Sequence, residues 1–244
     1  MDCLKLKRTV SALVLLLFFI PFTPLLAAEL KVSLAKMPVY AESNEKGVLV
    51  DLSKLISKEL NMDLNLTVVP FARSISNAVT RKVDFHMPLI QSPGYRNEVS
   101  DFDYSTETIF HVNFVLYENK TKPLNLEQMN TYNIETDRAH TNYFPFETIA
   151  SSCLECSLKK VDIGRIDGFI FADFASDPII RKDNLINLKR RLYKVFDVKI
   201  VLPKGEQGGR IDMLLSKAIG SLKAKGEYQK LMDKFDMPYD DWQP

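Results

Sequence analysis

Glycine is scarce in this 244-residue chain, with only nine residues, and no glycine-rich phosphate cradle can be drawn from them. There are three histidines, His86, His111 and His140, with no paired spacing, so convergent metal donors have no basis and no metal site is expected. Gly-x-Ser-x-Gly and His-Glu-x-x-His are both absent, so neither names a catalytic site, and no cofactor is expected. Charge excess is missing as well. The formal net charge is +1, and residues 1–28 hold three basic residues against one acid, which leaves the remainder near −1. Such a balance offers no basic face for nucleic acid. The cluster Lys189-Arg190-Arg191 is explained equally by a solvated face.

Past the N-terminus, no apolar run approaches membrane-spanning length. Within it, Lys5, Lys7 and Arg8 precede an apolar stretch from Val10 to Leu26 that ends in Ala27-Ala28. A basic head, an apolar middle and small residues at the exit predict a cleavable secretory signal over residues 1–28, and hence a periplasmic protein. Cys3 precedes the run, whereas a lipid-modified cysteine would follow it. Two cysteines then remain, Cys153 and Cys156. In an oxidising compartment they suit a short disulfide, although the Cys-x-x-Cys spacing also fits a thiol–disulfide site or idle thiols.

Residues 29–244 alternate between the two regular periods. Leu30–Ala35 and Leu64–Val69 alternate as strands, while Leu52, Leu55, Ile56 and Leu60 recur at helical spacing over Val50–Leu60. A short helix around Ile75, Ala78 and Val79 leads to a strand at Val83–Met87. Strand, helix, strand, helix in this order predicts a parallel sheet covered by helices. Further strands are expected at Phe110–Tyr117, Tyr132–Ile134, Ile166–Phe171 and Val198–Leu202, and a helix at Ser157–Ile163. Two amphipathic helices close the chain, one striped by Ile211, Leu214, Leu215, Ala218 and Leu222, the other by Tyr228, Leu231, Met232 and Phe235, with Gly226 between them.

Several short motifs in fixed order carry a resemblance. They are Gly47–Leu60, Val69-Pro70-Phe71-Ala72-Arg73 followed by Val83-Asp84, and Arg96 followed by Phe102-Asp103-Tyr104-Ser105. Gly164-Arg165-Ile166-Asp167, Val201-Leu202-Pro203-Lys204-Gly205 and Gly226-Glu227-Tyr228 with Lys234-Phe235 complete the set. In this order the chain resembles the bacterial extracellular solute-binding proteins of family 3, the periplasmic amino-acid type. The resemblance implies an α/β, two-lobed periplasmic-binding-protein (type II) fold with two hinge strands. Lobe 1 would comprise residues 29–112 and 203–244, and lobe 2 residues 113–202.

It also implies a ligand cleft and a set of contacts. Phe71 would stack on the solute, or else serve as a core aromatic, and Tyr40 would flank it. Arg96 corresponds to the arginine that grips a ligand carboxylate, for which a guanidinium fork is suited, or else is a surface loop arginine. Arg73 would face the same rim, or lie in solvent. Leu89 and Gln91 stand where the family pattern has glycine and threonine. Ala172 stands where it has the acid that meets an amino group, and Asp173, one residue later, would accept a donor of the ligand from the second lobe, with Gln91 as a further contact. No glycine occurs in Thr136–Thr141. These departures make an α-amino acid a poor expectation and leave a small polar, carboxylate-bearing solute. The implied partner is an inner-membrane ABC permease, with the chain a monomer and no catalytic residue. Two alternatives stay open: an exported dehydratase-like enzyme using His86 or Glu98, and a periplasmic sensor subunit.

Overall fold

The computed structural model describes residues 29–244, so the expected signal segment lies outside the described residues. Eight strands form one curled mixed sheet in the order β2-β1-β3-β8-β4-β7-β5-β6. At one end β1 (Leu30–Ala35) lies between β2 (Leu64–Val69) and β3 (Phe85–Ile90), parallel to both. Helices α1 (Val48–Leu60) and α2 (Phe71–Val79) make the crossovers. At the other end β5 (Ile134–Asp137) runs parallel to β6 (Ile149–Ser151) and β7 (Gly168–Ala172), with α3 (Leu154–Asp162) between β6 and β7 and α4 (Asp173–Asp183) after β7.

The two ends are joined by β4 (Phe102–Asn119) and β8 (Leu188–Pro203), antiparallel to each other from Phe102 opposite Pro203 to Asn119 opposite Leu188. Both are far longer than the periodicity of their middles predicts, since their outer thirds belong to different lobes. Their register shifts between Tyr104 and Thr108, Thr108 and Phe110, and again between Phe114 and Val115. Such bulges bend a ladder and strengthen its twist, which lets one ribbon serve two sheet halves. Helices α5 (Arg210–Ala224) and α6 (Glu227–Met232) return to the first half. There Leu215, Ala218, Ile219 and Leu222 are buried in the main core with Leu49, Leu52 and Ile56 of α1.

Three elements escape the periodicity. Strand β6 is three residues long, too short to alternate. Helix α4 has Pro178 inside it and a weak apolar stripe. The third is the tail. His111 donates from its backbone N–H to Asp236 (2.8 Å), and Asn113 donates to the Met237 carbonyl (3.2 Å). The chain then continues onto α4 and β8, where the Trp242 ring stacks beneath Arg181 and Arg190 at 4.0 and 4.5 Å. Arg190 is buried, donates to both carboxylate oxygens of Asp177, and donates also to the carbonyls of Asp240 and Trp242. The tail therefore forms a third crossing between the halves.

That crossing yields a measurable stability. Trp242→Ala removes both cation–π contacts and the indole hydrogen bond to Asp177, and is expected to cost about 2–3 kcal/mol. Urea unfolding followed by circular dichroism measures it, and an unchanged midpoint would mean that the tail does not dock.

Candidate ligand cleft

Where β4 and β8 bend, the two halves of the sheet enclose a cavity of about 160 Å³. The first half supplies Met37 and Tyr40, Phe71 at the start of α2, and Pro88, Leu89 and Ile90 from β3. The crossing strands supply Phe110, Val112, Phe114 and Val198. The second half supplies Ala139, His140 and Tyr143 from a 3-10 segment (Arg138–Tyr143), Phe171 and Ala172 from the end of β7, and Phe174 from the first turn of α4. The chain thus delivers strand ends and helix starts to one point, as open α/β folds do at their ligand crevices.

Tyr40 is held by a tight local arrangement. Its carbonyl accepts the Leu49 N–H at the start of α1 (2.9 Å). Gly47 passes so near this carbonyl, at φ +139°, that any Cβ there would overlap it. The Tyr40 ring stacks on Phe110 with centroids 5.5 Å apart and meets the edge of Phe174 at 5.6 Å. On the other wall His140 packs against Tyr143, Phe171 and Phe114 at 5.0, 5.4 and 5.5 Å.

No lining side chain carries a full charge at neutral pH. Burial pushes Tyr40 up to about 12, helped by the fields of Asp173 and Asp236, and pushes Tyr143 up to about 12. Burial also holds His140 below its ordinary value, against the opposing pull of Asp137. The Nδ1 of His140 lies 3.1 Å from Asp137 Oδ1. A carboxylate only accepts, so this nitrogen carries the proton and Nε2 presents a lone pair.

The residues singled out from the sequence separate into two sets. Phe71 and Tyr40 line the cavity, and Phe71 also meets the edge of His86 at 5.9 Å. Leu89 and Ala172, at the places of the family's glycine and acid, line it too. Arg73 and Arg96 are exposed and absent from the lining. Gln91 lies just past Ile90, in a shallower depression with Tyr95 and Asp197. Asp173 faces a separate pocket beside the tail, accepting from Asn113 (3.1 Å) and from the Phe174 N–H (2.7 Å). Burial raises its pKa above the ordinary carboxylate value. Cys153 and Cys156 are joined at the head of α3, with Cα atoms 5.3 Å apart, remote from the cavity lining. Sequence reasoning did not single out His140, Tyr143, Phe114 or Phe174 for the site. His140 and Tyr143 sit in an irregular segment without period, and the others read as ordinary strand and helix residues.

The acid–base candidates lie elsewhere. Glu98 is exposed on a loop. His86 is fully buried, its Nδ1 2.6 Å from the Ser74 hydroxyl, which in turn lies 2.8 Å from that of Ser33. Among the described residues no cluster of histidine, cysteine and acids suits a metal, and no helix is long and apolar enough to cross a membrane.

This bent two-strand crossing with a cleft at its centre defines a type II periplasmic-binding-protein fold. Residues 32–237 match the family model for bacterial extracellular solute-binding proteins, family 3, and the chain belongs to that family. Among solved structures it is similar to the GluR0 ligand-binding core from Nostoc punctiforme in complex with L-glutamate. That match has 18% identity, a TM-score of 0.62, and covers 85% of this chain and 100% of the other. It is also similar to the probable amino-acid ABC transporter extracellular-binding protein ytmK from Bacillus subtilis, at 18% identity and a TM-score of 0.62, covering 86% and 97%. A histidine kinase sensor domain with similarity to periplasmic binding proteins matches at 16% identity and a TM-score of 0.60, covering 85% and 95%. At these identities the likeness concerns the fold. No curated protein sequence matches. The family is one of solute-binding proteins, and these neighbours are a ligand-binding core, an extracellular-binding protein and a sensor domain.

Burial of His86 holds its pKa down at about 4, below the ordinary 6.5. Above pH 6.5 the ring is neutral whether the chain is folded or not. Below it the unfolded chain takes up a proton that the folded chain refuses, so the contribution is lost as pH falls toward 4. At 1.36 kcal/mol per unit this amounts to about 3 kcal/mol. Unfolding free energies at pH 7 and pH 4 should differ by that much more in the parent than in His86→Asn. Equal slopes would remove His86 as the source.

Proposed function

We propose that this chain is a periplasmic binding protein that captures a small solute between its lobes and presents it to an ABC-type importer, acting as a monomer without chemistry of its own. The observation that carries the reading is the cavity at the bend of β4 and β8, lined from both halves of the sheet. A cavity at a hinge can be closed around its contents, which desolvates the ligand and gives the closed form its own shape for docking. In this reading lobe 1 comprises residues 29–112 and 203–244, lobe 2 residues 113–202, and Phe110–Tyr117 with Val198–Leu202 form the hinge. Tyr40 and Phe71 are solute contacts. The lining gives no support to the carboxylate clamp that Arg96 and Arg73 would make, or to Gln91 and Asp173 as contacts, so an acidic group on the solute is not part of the proposal.

The likeness to a histidine kinase sensor domain favours one second reading, a subunit that reports the solute instead of delivering it. Deleting the gene separates the two, since uptake of the solute fails in the first case and only the response to it fails in the second.

The binding step is tested by thermal shift on residues 29–244 with amino acids, carboxylates, amines, sugars, short peptides and small ring compounds. A ligand at a hundredfold excess over its Kd adds about 2.7 kcal/mol. A midpoint rise with one class, and recovery of that compound unchanged, is expected. A folded sample that responds to none, or that converts its ligand, overturns the reading.

A further inference from the structure

The lining of the cleft restricts what can enter it. Seven of its sixteen residues are phenylalanine or tyrosine, and the remainder are aliphatic, alanine, proline or methionine apart from His140. A carboxylate or ammonium placed there would lose its hydration with no opposite charge to meet it, at a cost of several kcal/mol. That corresponds to roughly a thousandfold in affinity. An apolar ring loses nothing comparable and meets aromatic faces and edges on every side.

Size narrows the choice further. A dry apolar cavity of about 150 Å³ engineered into another protein takes benzene, and this one measures about 160 Å³. It therefore has room for one ring.

Two polar side-chain atoms of the lining, the Tyr40 hydroxyl and Nε2 of His140, have no partner among the described residues. The Tyr143 hydroxyl donates to the Ile90 carbonyl at 3.2 Å. The His140 Nδ1–H is directed to Asp137, whose same oxygen also accepts the Ala139 N–H at 2.9 Å. This fixes the tautomer from behind, and among the described residues nothing donates to His140 Nε2. A fixed imidazole lone pair in an apolar wall selects a ligand that brings a proton donor.

We propose that the cleft takes an uncharged aromatic ring bearing an N–H or O–H, which donates to Nε2 of His140 while Tyr40, Phe71, Phe110 and Phe171 enclose the ring. The proposal rests on the solute-binding reading and names the ligand class of that same site.

Isothermal titration calorimetry with phenol, toluene, benzoate and L-glutamate tests it. Phenol is expected to bind, toluene about 5- to 10-fold more weakly than phenol for want of a donor, and benzoate and L-glutamate without detectable heat. In His140→Phe the preference for phenol over toluene should fall to about one. Arg96→Ala should leave phenol affinity within twofold. The phenol-to-toluene ratio of the parent decides the donor claim even if His140→Phe does not fold. Equal affinities there overturn the role of His140. Binding of benzoate or L-glutamate in preference to phenol, abolished by Arg96→Ala, overturns the ligand class and leaves solute binding intact. Binding of a sugar, amine or peptide in place of any ring does the same. Silence from these four and from the wider panel removes both readings together.

Discussion

The pairing of β4 with β8 is the interaction on which the other features depend. Two strands of 18 and 16 residues run the length of the molecule, and each end of the ribbon is a central part of a different half-sheet. A straight ladder of that length would give one flat sheet with no cleft. Three register shifts bend it, and the bend is where Phe110, Val112, Phe114 and Val198 come to the cavity surface. The bulges therefore do two things at once. They let two cores form on one ribbon, and they aim apolar side chains from its middle into the gap between them.

How this ribbon is concealed in the sequence is instructive. Phe110–Tyr117 and Val198–Leu202 are legible as strands because they alternate or run apolar. Their outer parts carry Asp103, Ser105, Glu107, Lys189, Arg190 and Arg191, which periodicity assigns to loops. Several of these polar residues are buried and paired instead. Asp103 accepts the Gly205 N–H, and Arg190 meets Asp177. Tertiary pairing overrides local pattern at such positions. The first βαβ unit shows the opposite case. There Leu64–Val69 is read to the residue and α1 to within two, because β2 alternates half-buried with exposed residues over most of its length and α1 buries an apolar face.

The site was legible in part, for a related reason. Spacing from motifs finds positions along the chain, and Phe71, Leu89 and Ala172 do reach the cleft. It does not find what comes from across the fold. His140 and Tyr143 belong to a 3-10 segment with neither helical nor strand period, and only the parallel pairing of β5 with β7 sets that segment opposite β3. Arg96 is the converse example, a residue whose spacing suggests a ligand contact while its loop leaves it exposed. The loop itself is anchored through Tyr95, which stacks on Phe102 and donates to its carbonyl, and through the Lys204 ammonium on Asn97. Those contacts fix the loop's base and leave the Arg96 side chain exposed.

Charge is distributed with a consistency that bears on the cleft. Buried ionic groups are numerous in the second half, and most are in tight pairs. Arg190 grips Asp177, Arg191 donates to Glu118, and Lys160 meets Glu135, which also accepts from Ser157. Such networks favour a single arrangement because breaking one leaves an uncompensated charge. They lie outside the cavity lining. The cleft walls at the bend are aromatic and carry no full charge, while on the crossing strands themselves His111 lies between Asp197 and Asp236. Apolar faces of this kind can part and meet again without breaking an ion pair, whereas charges there would resist every opening or closing by their cost of desolvation. Tight ion pairs away from the cleft and neutral walls around it are thus complementary features of one fold. The neutral lining that would exclude a charged solute is the same feature that would let the cleft walls part and meet again.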